Sequence, residues 1–299
     1  MAKRGLSLVG FYDRDQDALA HLRNVCVLPH MSEAGLLEEW AAARARLGAP
    51  MPGAGAPEIR ELGSAEAAYA EELCARPWVQ ALLQKPDYRA ASFKLVEIAP
   101  LLAHQPFVDL ERSDRSCESL REAGIAELMQ RCLPPTQPRP FEPPTVVDRQ
   151  PHSIIIKLPR PHVEQLKGAL MRADDNGVEQ TIAGVALSYT LPFVQVVRLE
   201  GRYYLQNGYH RTFGAARLGV THIPCLVRNL SNGNDAQNHA EAPDWMLMPR
   251  RLLESSNPPT LGHFLRGRAH DVMLRAWSLN IHITWSHAVM ADEYEGLKP

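Results

Sequence analysis

The sequence predicts an α+β fold, and three observations predict it. Residues 193 to 228 read in order as strand, tight turn, strand, glycine turn, helix and strand. An earlier alternating run, Phe93-Lys-Leu-Val-Glu-Ile98, reads as another strand ended by Pro100. Helical spacing dominates the first ninety residues. The expected arrangement is a small mixed β-sheet with flanking helices. A helical N-terminal region (1–90) precedes the core domain (91–230), and an extension (231–299) ends in a β-hairpin.

In chain order, Ser32 caps a helix over 32–47 with Leu36, Leu37, Trp40 and Leu47 on one side. A second helix follows Ser64 and runs to Leu73, with Pro77 stopping it or starting a new turn. After the Phe93 strand, Ile125, Leu128 and Met129 mark a helix within 121–132. Six prolines between Pro134 and Pro144 favour an extended connection inside the fold. Strands are expected at 153–157, 193–199, 202–205 and 222–228, with Glu200-Gly201 as a hairpin turn. One helix lies between Asn207 and Gly219, with Phe213 and Ala216 toward the sheet and Gly219 as its C-terminal cap. Residues 271–277 and 279–286 read as the two strands of the terminal hairpin.

Composition limits the function classes. A chain of 299 residues has ample length to bury a core. Lys and Arg number 32 against 34 Asp and Glu, a formal charge of -2, which disfavours nucleic acid as a general partner. The five cysteines form no CxxC pair and have no zinc-type spacing, the pattern of a reduced intracellular protein, and no metal ligand set is assigned. No signal peptide and no membrane-length apolar run is visible, so a cytoplasmic protein without a membrane partner is expected.

The chemistry concentrates at Leu205-Gln-Asn-Gly-Tyr-His-Arg211. Strand, glycine turn and helix together aim the free amide groups of the first helical turn at an anion. His210 and Arg211 strengthen this reading, because cationic groups in a first turn oppose the helix dipole unless something negative compensates. Asn207, Gly208, Tyr209, His210, Arg211 and Thr212 are therefore the candidate phosphate-binding residues. Asp109 and Glu111 are candidates for a base or for holding Mg²⁺ on a nucleotide, whereas Asp114 reads as solvated. Lys157 reads as snorkelling, Cys225 as core, and His282 and His287 as facing opposite ways. The plain alternative for Arg211 is an ion pair with Asp109 or Glu111.

The run Val196 to Val227 resembles the ParB/sulfiredoxin superfamily. The resemblance lies in Gly208-Tyr209-His210-Arg211, the helix with Ala215-Ala216, Leu218-Gly219, and a strand at Ile223-Pro224. Leu95 to Ile98 and Gln105 to Val108 are similar to the segment that opens the domain in those families. The likeness covers 93–112 and 193–228 around a long insertion. It implies that Gly208, His210 and Arg211 hold the phosphates of a nucleoside triphosphate, ATP or CTP, and it admits Mg²⁺ alongside. Tyr209 stands where sulfiredoxins carry their nucleophilic cysteine, which excludes that reaction. Residues 231–299 lack the helix-turn-helix pattern of partition proteins. The expected function is nucleotide binding, extending to NTP hydrolysis or phosphotransfer with Asp109, Glu111 and His210 as catalytic candidates. The alternative is a non-enzymatic module meeting a nucleic acid or protein through the same anion site, with the N-terminal helices as the protein-docking surface.

Overall fold

The computed structural model describes residues 3–26, 31–48, 55–121, 124–136, 145–150, 153–158, 163–175, 178–189, 191–230, 248–275 and 279–284. The chain divides into two units, residues 1–139 with 163–276, and residues 140–162 with 277–299.

The elements run β1 (Lys3–Ser7), α1 (Asp15–Val25), α2 (Glu33–Leu47), β2 (Ile59–Arg60), α3 (Ser64–Cys74), α4 (Pro77–Leu83), β3 (Ser92–Glu97), β4 (Leu102–Ala103), β5 (Phe107–Asp109) and α5 (Leu110–Cys117). Then come α6 (Ile125–Cys132), β6 (Thr145–Gln150), β7 (Ser153–Leu158), β8 (Val163–Asp175), β9 (Val178–Tyr189), β10 (Gln195–Leu199), β11 (Arg202–Asn207), α7 (Tyr209–Arg217) and β12 (His222–Asn229). Last are α8 (Arg250–Leu253), α9 (Leu261–Leu265), β13 (His270–Leu274) and β14 (Leu279–Thr284).

The first unit is mixed α+β. Its larger sheet has the order β2-β3-β12-β10-β11-β4. Within it β10 is antiparallel to β11 and parallel to β12, while β12 is antiparallel to β3. Val196, Leu205, Ile223, Cys225 and Leu226 lose all solvent exposure there, as near-continuous apolar strands covered on both faces should. Glu200 and Gly201 join β10 to β11 with φ of 51° and 78°, the left-handed pair of a tight hairpin turn. A smaller sheet, β13-β1-β5, is antiparallel throughout, and β8 pairs with β9. In the second unit the sheet order is β14-β7-β6.

Local signals account for the helices. The Ser32 hydroxyl accepts from Gly35 N at 3.2 Å and starts α2, whose Leu36 and Ala43 are buried. Pro77 opens α4, where its missing amide costs nothing. Gly219, at φ 90°, follows the end of α7 and donates its amide to Ala216 O at 3.0 Å. Phe213 is buried edge-on against Phe264 of α9.

Two expectations need correction. The mostly helical N-terminal region also contributes an unforeseen strand, because β1 pairs with β13 on one side and β5 on the other. Lys3-Arg-Gly-Leu-Ser7 has too little apolar alternation to announce itself, and long-range partners on both edges make it a strand. The C-terminal hairpin does not form: β13 pairs with β1, and β14 with β7. Alternation identifies a strand but says nothing of its partner. Of the proline-rich segment, residues 137–144 lie outside the described residues, as does His287, and nothing is described of the side chains of Lys157 and His282.

Candidate functional site

The site is the handover from β11 to α7. Gly208 takes φ 95° and ψ 18°, a left-handed conformation in which a side chain is strained. A Cβ there would also lie 2.7 Å from Val194 Cγ2. The glycine is thus demanded by both backbone and packing. Gly208 N donates to Asn207 Oδ1 at 2.7 Å, and Thr212 N closes the first turn onto Gly208 O at 2.9 Å. The first-turn amides of a helix have no intrahelical acceptor, and the first turn of α7 contains no acidic residue.

The side chains expected to hold phosphate divide into scaffold and candidates. Asn207 Nδ2 donates to Leu191 O at 2.7 Å and Phe193 O at 3.0 Å. Arg211 Nη1 donates to Pro192 O and, at 3.0 Å, to Arg131 O. Three successive carbonyls of the segment entering β10 are therefore held by Asn207 and Arg211, and this clamp also reaches the end of α6. Tyr209 is buried, and its phenol oxygen accepts from Gln105 N at 2.9 Å. Burial pushes the Tyr209 pKa well up, so the phenol stays neutral. Thr212 is fully buried, and its Oγ1 has no hydrogen-bond partner among the described residues. His210 is partly buried in the first turn of α7, with its Nε2 shielded from solvent.

No carboxylate pairs with Arg211 among the described residues. Burial lowers its pKa, partly offset by the thiols of Cys132 and Cys117. Burial raises those thiols in turn, to about 12 and about 11, so both are neutral near pH 7. The guanidinium is charged and bonded to neutral oxygens.

Asp109 and Glu111 do not converge on this turn. Asp109 caps α5, accepting from Arg112 N at 2.9 Å, and its other oxygen lies 3.5 Å from Lys3 Nζ. Glu111 is exposed in the first turn of α5. Helices α5 and α7 run antiparallel: Cys117 Sγ donates to Arg211 O at 3.3 Å, while Asp114 pairs with Arg217 at 2.5 Å. The start of α5, with both carboxylates, therefore lies beside the C-terminal end of α7. A helix over 110–117 was not foreseen, and its direction separates the acids from the glycine turn.

Sequence reasoning also passed over Arg228 on β12, which is 1% exposed. A charged residue ending an apolar strand reads as a solvated terminus, and nothing in Cys225-Leu-Val-Arg228 signals otherwise. Among the described residues no group of three or more His, Cys, Asp or Glu is placed to hold a metal, and no helix is long and apolar enough to cross a membrane. No family model matches the chain, and comparison with curated proteins and with solved structures found no match either.

Proposed function

We propose that the chain binds the phosphate group of a nucleoside triphosphate, ATP or CTP, at the amino end of α7. The observation that carries this reading is an uncompensated positive region. The dipole of α7 and the Arg211 guanidinium have the same sign, the guanidinium is bonded only to carbonyls among the described residues, and no acid occupies the first turn. An anion on the first-turn amides relieves this, with the His210 ring as a further donor when it is protonated. Arg211 acts at one remove, setting the potential and the turn geometry. With Asp109 and Glu111 at the far end of α5, the reading is of nucleotide binding, and it assigns neither carboxylate a part in phosphoryl transfer.

Titration calorimetry with ATP, CTP and GTP, with and without Mg²⁺, tests the proposal on wild type and on His210→Glu. Glutamate in a first helical turn favours the dipole, so this variant should keep its stability while repelling phosphate. Binding by wild type that falls at least about tenfold in His210→Glu supports the reading, since a charge-assisted bond is worth about 1.5–3 kcal/mol. Absence of binding at ~1 mM nucleotide to folded wild type, or equal binding by the variant, refutes it.

A further inference from the structure

The most buried cation described in the first unit is not at the glycine turn. Arg228 donates through Nη2 to Gln206 Oε1 at 2.7 Å, and its guanidinium stacks on the Tyr88 ring, 4.4 Å from the centroid. Its Nε and Nη1 are shielded from solvent and have no hydrogen-bond partner. No carboxylate pairs with it among the described residues. Arginine does not shed its proton, so a full charge is buried against one neutral amide oxygen and one aromatic face. An isolated buried charge is among the costliest arrangements a core can hold.

A second orphan stands nearby. Gln195 is 4% exposed, and its Oε1 has no hydrogen-bond partner. Strands β10 and β12 are parallel, with Gln195 beside Leu226 and Val197 beside Arg228. Gln195 and Arg228 therefore share one sheet face as diagonal neighbours, roughly 7–8 Å apart, within reach of two long side chains. The face thus carries two unsatisfied donor nitrogens and one unsatisfied acceptor oxygen.

We propose that Arg228, with Gln206 and Gln195, is a receptor for a small carboxylate that bears a hydroxyl group. The carboxylate supplies the charge and the acceptors that the guanidinium lacks, in the planar geometry that arginine matches best. The hydroxyl donates to Gln195 Oε1. Tyr88, in the single turn Pro86–Tyr88, covers the guanidinium in the absence of ligand, and its ring is the group that yields on entry. The inference does not rest on the α7 turn.

The test is the thermal midpoint of the full chain in glycolate, acetate, phosphate and chloride at matched ionic strength. It is run on wild type, Arg228→Met and His210→Glu. Glycolate should raise the wild-type midpoint saturably, by roughly 5–10 °C at about 100 times Kd. Acetate should do so less effectively, and in His210→Glu, where the α7 turn repels phosphate, phosphate should do no more than chloride. The glycolate rise should persist in His210→Glu, which alters only the α7 turn, and vanish in Arg228→Met. Should the methionine variant fail to fold, Arg228→Lys keeps the charge without the fork and should lose the rise as well. The proposal is overturned by a glycolate effect no larger than that of chloride, by an equal effect in the Arg228 variants, or by phosphate matching glycolate in His210→Glu. Acetate equal to glycolate removes Gln195 from the receptor and overturns it as stated.

Discussion

Removing Arg211 should destabilise the protein even with no ligand present. As a phosphate ligand at a helix terminus the residue would be dispensable for folding, or its loss mildly stabilising. Its bonds to Arg131 O and Pro192 O predict otherwise. Arg211→Ala leaves two carbonyls without their donor, at about 1–3 kcal/mol each when water cannot replace it. Arg131 is exposed and Pro192 half-buried, so water offsets part of the loss, and relief of the charge's desolvation offsets a little more. The expected net cost is about 2–3 kcal/mol, or roughly 5–10 °C in thermal midpoint for a unit of this size. Arg211→Lys should recover only part of the loss, because both bonds come from Nη1 at the far end of a planar guanidinium, a position that an ammonium on its flexible stem does not reproduce. The control is Arg217→Ala, which breaks the exposed pair with Asp114 and should change stability by less than about 0.5 kcal/mol. Urea and thermal unfolding without nucleotide decide the matter. An Arg211→Ala variant as stable as Arg217→Ala would refute the clamp.

The two left-handed glycines flanking α7 should respond unequally. Gly208→Ala meets Val194 Cγ2 at 2.7 Å as well as the strain of φ 95°, and should cost about 2–4 kcal/mol. Gly219→Ala, with φ 90° and nothing within 4 Å, should cost about 1 kcal/mol; comparable losses in urea unfolding would show that packing against Val194 is unimportant. Stability should also fall in acid through His263, which is 1% exposed and whose Nδ1 accepts from Thr260 N at 3.0 Å at the start of α9. Burial lowers its pKa from 6.5 to about 4, so the native state favours the neutral ring; the stabilisation is complete above pH 6.5 and is lost as pH falls toward 4. His104 is lowered to about 4 in the same way, so His263→Gln should flatten the slope of stability between pH 6.5 and 4 by about half, and an unchanged slope would remove His263 from the cause.

Much of the larger sheet was readable because its signals are local. Ser32, Pro77, Glu200-Gly201, Gly208 and Gly219 each impose a backbone geometry that follows from the residue itself, and the elements between them lie where those residues require. What escaped depends on partners distant in sequence. Lys3–Ser7 becomes a strand through Val108 and Asp271, more than a hundred and more than two hundred and sixty positions away. The strands at 270–274 and 279–284 were seen, but their neighbours were not, since apolar alternation is the same whichever strand lies alongside. Asp109 and Glu111 were placed near the glycine turn by family likeness, and the helix that carries them runs the other way.

The two roles that the sequence leaves open for Arg211 have a more general cause. A sequence displays hydrogen-bond donors such as Asn207 and Arg211 by name, but the commonest acceptor, the main-chain carbonyl, belongs to every residue and leaves no mark. Leu191-Pro192-Phe193 gives no sign that its three carbonyls need donors, yet they occupy the amide of Asn207 and Nη1 of Arg211. A glycine turn flanked by asparagine- and arginine-type donors therefore fits an anion site and a backbone clamp equally well until the acceptors are located. Arg228 is the converse case: its sequence context is that of an ordinary strand, and only its surroundings reveal nitrogens without acceptors. What separates a binding arginine from a structural one is the state of its acceptors, by which measure Arg211 is largely satisfied by its own chain and Arg228 is not.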